Sequence, residues 1–351
     1  MAPDILSRQR LLIITYPRTA SNLLMQILNM PEQPNTLCEE NGGYFFLPAL
    51  LRMRQLGMME RPYSEWSQEQ RSEIQDLFQD CFDKLQAQAA DAQAAGKRIV
   101  AKEHAPAMID PLSLMRFGST QQELALMPDG PWKIQLPDEW SQAKSLDCIM
   151  DDLFCNDTVL PNAFLMTWLP TFLIRNPIVA FPSYYRVFHS ARNAHKRQMK
   201  YAKGQMNRTM TMRWTRRLYD WYMNIWQQQK RCKECQQGPV ILDADDILTS
   251  PEELKKYCRL VGLDETKLQF SWKPLSEEEV AKCHPLKQRM RDTLHASSGI
   301  QKDKLAGDRN LETELVEWKD EFGEEEGLQL REWVVAAMPD YVYLRDRRLQ
   351  L

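Results

Sequence analysis

Leu11 to Leu28 reads LLIITYPRTASNLLMQIL. Leu11 to Ile14 is a short apolar run of the kind that forms a buried strand. Thr15-Tyr16-Pro17 breaks it, and Arg18 to Asn22 is a polar turn. Leu23, Leu24, Ile27 and Leu28 then recur at helical spacing, which predicts a helix starting near Ser21. Strand, tight turn and helix N-terminus make an anion trap, because the first backbone N–H groups of a helix have no intrahelical partner and point into the turn. Arg18, Ser21 and Asn22 lie where they add a cation and two polar side chains. The guest expected there is a phosphate or sulfate. A Walker A loop is excluded, since it needs glycines and a Gly-Lys-Ser/Thr ending, and this turn has neither.

Composition narrows the classes. At 351 residues the chain can bury one large α/β core or two smaller ones. Hydrophobic residues at 43% and charged residues at 26% are ordinary for a globular protein. The expectations are a cytoplasmic protein without membrane span or secretory leader, because Met1 to Arg10 is polar and no apolar run reaches bilayer length. The eight cysteines read as reduced thiols. Cys232 and Cys235 form one CxxC without a second pair, which favours a solvated helix end over a metal site. A net charge of −3 argues against general nucleic-acid binding. No Asp or Glu lies between Asp157 and Asp220, a stretch read either as a solvated basic face or as a binder of a small polyanion.

Three further segments matter. Arg98 to Ala101 begins a second strand that runs into Lys102-Glu103-His104-Ala105-Pro106. Thr171 to Ile174 is a third, ending at Arg175-Asn176-Pro177 and followed by a helix carrying Ser183-Tyr184-Tyr185. Val240 to Leu242 is a fourth, followed by three aspartates and a helix capped by Ser250 and stopped by Gly262. The aspartates have no His at ligand spacing, so no metal is expected. Around these, Ser67 and Gln70 form an expected capping box for a long helix ending at Gly96. Trp214, Leu218, Trp221, Tyr222, Ile225 and Trp226 form a helical core stripe. Pro31 to Pro48 reads as turn-rich, His189 to Arg208 as a mobile loop or frayed helix, and Leu328 to Ala337 as a core helix ended by Pro339.

Thr15-Tyr16-Pro17-Arg18-Thr19-Ala20-Ser21-Asn22-Leu23 resembles the 5′-phosphosulfate loop of the cytosolic sulfotransferases, Thr-Tyr-Pro-Lys-Ser-Gly-Thr-Thr-Trp. Lys102, His104 and Pro106 resemble that family's Lys-Thr-His-x-Pro, and Arg175 with Ser183 resembles its 3′-phosphate pair. All three fall in the right order at predicted C-terminal strand ends, where open α/β sheets bind ligands. Near the C-terminus, Glu317 to Phe322 resembles only the end of the family's Arg-Lys-Gly-x-x-Gly-Asp-Trp-Lys. Lys302 and Lys304, after Gly299, are a looser substitute.

The resemblance implies one domain over residues 1–351 with a three-layer P-loop sulfotransferase-like α/β fold, its central mostly parallel sheet flanked by helices. It implies transfer of a sulfonyl group from PAPS, leaving PAP, to a hydroxyl or amine of a soluble small molecule, without metal. His104 would be the base, near its ordinary pKa of about 6.5. Arg18, Lys102 and Ser21 would stabilise the transferring group, and backbone of Thr19, Ala20, Ser21 and Asn22 would cradle the 5′-phosphate. Arg175, Ser183, Lys302 and Lys304 would hold the 3′-phosphate. Residues 107–161 would be an insertion, either an acceptor-binding lid or a plain surface excursion; its Trp, Met and Phe suggest an apolar or aromatic acceptor. Arg18 for Lys, Leu23 for Trp and the incomplete last motif keep two alternatives open. One is another acid/base step on a metabolite, and the other is nucleotide binding without catalysis.

Overall fold

The computed structural model describes residues 10–137, 156–192, 202–229, 238–283 and 285–350. Among them, five strands form one sheet in the order β2-β3-β1-β4-β5. They are β1 (Arg10–Thr15), β2 (Thr36–Gly43), β3 (Arg98–His104), β4 (Leu169–Ile174) and β5 (Val240–Asp243). The sheet is mostly parallel and flanked by helices, the α/β arrangement expected. Strands β1 and β3 pair in parallel, with Leu11 beside Val100 and Thr15 beside His104. Leu11 to Ile14 and Ile99 to Ala101 are all at most 2% exposed, so these strands are apolar runs because both faces are covered.

The chain separates into two compact units. The first takes residues 1–16, 37–172 and 197–240. In it, α2 (Leu47–Gln55) is followed by the long α3 (Gln68–Ala94). The Ser67 hydroxyl accepts from the Gln70 N–H at 3.2 Å, and the Gln70 side chain accepts from the Ser67 N–H at 3.1 Å, the reciprocal cap anticipated from the sequence. Helices α4 (Ala105–Met108) and α5 (Pro111–Arg116) follow β3 directly and are largely buried. The described arms of the 107–161 segment are tied together: Ile109 bridges Thr158, and the Asp110 carboxylate accepts from the Trp132 N–H at 2.8 Å. Trp140, part of that segment's aromatic content, lies outside the described residues, as do Cys232 and Cys235.

The second unit takes residues 17–36, 173–196 and 241–351. It holds α1 (Ser21–Leu28) and α6 (Pro177–Arg192), the latter following β4. Helices α7 (Ala202–Thr209) and α8 (Arg213–Gln229) belong to the first unit. In α8, Trp214, Leu218, Trp221, Tyr222 and Ile225 are buried, and the Tyr222 ring packs edge-on against Phe172. Full burial of each such side chain is worth about 1.5–3 kcal/mol. Beyond β5 the second unit continues with α9 (Ala244–Thr249), α10 (Pro251–Val261), α11 (Pro285–Ala296), α12 (Leu311–Phe322) and α13 (Glu324–Arg345). Ser250 caps α10 by accepting from the Glu253 N–H, and Gly262 ends it at φ +73°.

Three local expectations are corrected, and the loop-or-helix reading of His189–Arg208 narrows to helix where described. The Pro31–Pro48 stretch is not only turns: Thr36–Gly43 is edge strand β2. A Cβ at Gly43 would sit 2.6 Å from the Lys102 carbonyl oxygen, and its φ of +134° is open to glycine alone, so this residue lets the two backbones meet. The His189–Arg208 stretch is helical where described, at the end of α6 and in α7. The Glu60 carboxylate accepts from the Gly204 and Gln205 N–H groups at 2.6 and 2.9 Å, anchoring α7. Pro339 does not end the last helix, which runs on to Arg345. A proline costs a helix the bond to the carbonyl four residues earlier, and Val335 there is 46% exposed, so water can serve that carbonyl. Leu328, expected in the core, is 42% exposed.

Candidate active site

In the first unit the site is built on the ends of β1 and β3. Residues 102 and 104 share one face of β3, and Glu103 takes the other. His104 is 6% exposed and Lys102 fully buried. Tyr44 lies against both: its ring centroid is 4.8 Å from that of His104, and Lys102 Nζ stands 4.3 Å above its ring. The Tyr44 N–H donates to the Lys102 carbonyl at 2.9 Å, next to the close approach at Gly43. Thr15 is fully buried, with its Oγ1 2.6 Å from His104 Nδ1.

The electrostatics depart from expectation. Burial, with the Lys102 charge second, pushes the His104 pKa down to about 3 rather than leaving it near 6.5. The imidazole is therefore neutral throughout the neutral range and keeps a lone pair. Burial pushes the Glu103 carboxyl up to about 8 against the opposing pull of the Phe46 and Phe45 N–H groups and Lys102. Glu103 Oε1 accepts from the Phe46 N–H at 3.3 Å, while Oε2 is buried with no hydrogen-bond partner.

In the second unit the turn after β1 leads into α1. Helix α1 starts at Ser21, and its N-cap Ala20 has φ +61° with no side-chain cap. Arg18 also sits in the left-handed region, at φ +68°. Arg18 Nε donates to Ser183 Oγ at 2.8 Å, and one of its terminal nitrogens donates to the Met290 carbonyl at 2.8 Å. Residues from the first and third sequence motifs are thus in direct contact. Arg175 donates to the Arg18 carbonyl at 3.0 Å and to the Lys304 carbonyl, and its Nε is buried with no partner. Burial lowers the Arg175 pKa to about 10; Asp245 and Asp243 oppose this and Arg18 adds to it, so it stays charged at neutral pH.

Arg18, Ser183 and Lys304 line one cavity of about 1060 Å³, together with Arg186, Arg289 and Thr293. Its size is just beyond the range usual for small-molecule sites, about 300–1000 Å³. Lys304 Nζ donates to Thr293 Oγ1 at 2.6 Å. Lys302 sits exposed at the start of the short turn Lys302–Lys304. Thr19 and Ser21 are buried, and Asn22 accepts from Arg291 at 3.2 Å. The structure therefore gathers Arg18, Ser183 and Lys304 around one cavity, with Arg175 bracing the loop behind them, and separately places Lys102 beside His104 in the first unit. Sequence reasoning missed Thr15 as the histidine's partner, Tyr44, and the contribution of α11 through Met290, Arg291 and Thr293. Only Thr15 carried a signal, as a polar residue closing an apolar strand.

No helix among the described residues is long and apolar enough to cross a membrane, and no group of three or more His, Cys, Asp or Glu among them could hold a metal ion. No protein-family profile matches the chain. Among solved structures, the sulfotransferase domain from the Synechococcus PCC 7002 olefin synthase is similar at 13% identity and a TM-score of 0.33, over 95% of this chain and 96% of that one. Two other proteins are much more alike in sequence. Sulfotransferase ppzF of Metarhizium majus (strain ARSEF 297) is 35% identical over 345 residues, 96% of each chain. Sulfotransferase ppzF of Metarhizium rileyi (strain RCEF 4871) is 35% identical over 346 residues, 97% of this chain and 96% of its own. With this likeness running nearly end to end, the chain belongs to the sulfotransferase family.

Proposed function

We propose that the chain transfers a sulfonyl group from PAPS to a hydroxyl, or an amine, of a soluble small molecule. The observation that carries this reading is the 2.8 Å bond from Arg18 Nε to Ser183 Oγ, which joins two anion-binding motifs 165 residues apart at one cavity. The donor set fits a nucleotide with two phosphate-bearing ends. The cavity offers three guanidiniums, an ammonium and two hydroxyls, and beside them stand the start of α1, which has no side-chain cap, and the buried Arg175 Nε without an acceptor.

PAPS when bound supplies an activated sulfonyl group, whose sulfur bonds to the acceptor oxygen as its bond to the 5′-phosphate oxygen breaks. The residues then divide the work. Backbone N–H groups of Thr19 to Asn22 and the Ser21 hydroxyl hold the 5′-phosphosulfate end, and Arg18 stabilises negative charge growing on the leaving phosphate. Ser183, Lys304 and Arg175 hold the 3′-phosphate, with Lys302 at the rim. His104 takes the acceptor proton on its free ring nitrogen, and Lys102 adds positive charge beside the sulfonyl.

The test is calorimetric titration with PAP, followed by mass spectrometry of hydroxyl and amine acceptors with and without PAPS. Saturable PAP binding and an acceptor gaining one SO3 unit are expected. Failure to bind PAP would remove PAPS as the donor.

A further inference from the structure

Thr15 ends β1 and pairs in register with His104 at the end of β3. Its side chain is fully buried and reaches two groups at once: the Glu103 carbonyl oxygen at 3.0 Å and His104 Nδ1 at 2.6 Å. A threonine hydroxyl has one proton and two lone pairs. A carbonyl oxygen can only accept. If the proton pointed at Nδ1, two oxygens would face each other at 3.0 Å with nothing between them. The arrangement that satisfies every group sends the hydroxyl proton to the Glu103 carbonyl and makes Nδ1 the donor to Oγ1. Nδ1 then carries hydrogen, and the other ring nitrogen, Nε2, carries the lone pair.

We propose that Thr15 is a positioning residue that fixes the His104 tautomer, holding hydrogen on Nδ1 so that Nε2 accepts the acceptor's proton. This rests on His104 being the base, as proposed above. The other groups facing the ring act differently: the Lys102 ammonium opposes its protonation and the Tyr44 ring packs on it, while Glu103 contributes only its carbonyl to this face. A strand-end backbone carbonyl is an acceptor held in place by the sheet, so turning the hydroxyl proton away from it leaves that oxygen without the threonine donor. The same relay explains why the strand closes on a threonine. Valine has the same shape and would serve the core equally well, but could not accept from Nδ1.

The decisive measurement is nitrogen NMR of the full chain with labelled histidine. There are five histidines, and the His104 signals are identified by their loss in His104→Gln. The wild-type protein is expected to show a protonated Nδ1 and an unprotonated Nε2 on His104 at neutral pH. Thr15→Val should shift hydrogen toward Nε2 and lower kcat about 10-fold or more, with KM for PAPS unchanged. Thr15→Ser, which keeps the hydroxyl, should restore both the spectrum and kcat. A wild-type His104 with hydrogen on Nε2 overturns the proposal, and needs no variant to fold. So does a Thr15→Val protein that keeps hydrogen on Nδ1. Unimpaired sulfonation by His104→Gln would instead overturn the base assignment, while the spectra would still judge the link from Thr15 to the tautomer.

Discussion

Glu103→Gln isolates a proton that the fold holds against water. The Glu103 side chain is fully buried, and burial raises its pKa from 4.5 to about 8. In the unfolded chain the carboxyl ionises near 4.5, so between about pH 4.5 and 8 the folded protein binds one proton more than the unfolded one. Stability therefore falls as pH rises through that window. His104 works in the opposite sense. Its folded pKa of about 3 lies below the unfolded 6.5, so stability rises with pH between about 3 and 6.5. Asp243, raised to about 6 by burial, opposes His104 at the acid end and is spent by then. Between pH 6.5 and 8 Glu103 acts alone among these groups. The slope of about 1.4 kcal/mol per pH unit, over 1.5 units, gives a loss of about 2 kcal/mol. At about 2.1 cal/mol/K of unfolding entropy per residue, that is about 3 °C in the melting midpoint. Gln keeps an oxygen to accept from the Phe46 N–H and has no proton to lose. Thermal melts of both proteins from pH 6.5 to 8 should show the wild type falling by that amount relative to Glu103→Gln. A difference that stays constant with pH would refute the buried, protonated carboxyl.

Three further outcomes are expected. His104→Ala should lower kcat for sulfonation by about 10² to 10⁴ while calorimetric PAP affinity stays within about twofold, the signature of a lost base and not a lost binding site. Arg18→Lys keeps the charge but replaces the two separate nitrogens that bond Ser183 Oγ and the Met290 carbonyl with a single one; it should destabilise by about 1.5 kcal/mol in urea titrations, and Arg18→Ala should bind PAP more weakly than Arg18→Lys. Ala20→Gly relieves a left-handed φ of +61° and should stabilise by about 1 kcal/mol, measured as a higher urea midpoint.

Much of the fold was legible along the chain because its signals are local. The apolar run Leu11–Ile14, the spacing of Leu24, Ile27 and Leu28, and the Ser67–Gln70 box each encode an element within one or two turns, and each element is there. The same holds for the stripe of α8. Strand β2 was not legible, since TLCEENGG has no alternation to announce it; it is a strand because Gly43 lets its backbone meet that of Lys102. Pro339 shows the opposite failure, a strong local stop signal overridden within a longer helix.

The residue types of the candidate site were written in the chain as three short motifs. Their state was not. Which nitrogen of His104 carries hydrogen depends on a hydroxyl 89 positions earlier, and its low pKa and the retained proton of Glu103 depend on burial that no local window records. The grip on Arg18 comes from Ser183 and from the Met290 carbonyl, 165 and 272 residues away. Periodicity and turn chemistry act over a few residues and so are readable in order; desolvation and long-range hydrogen bonds exist only once the chain has closed on itself.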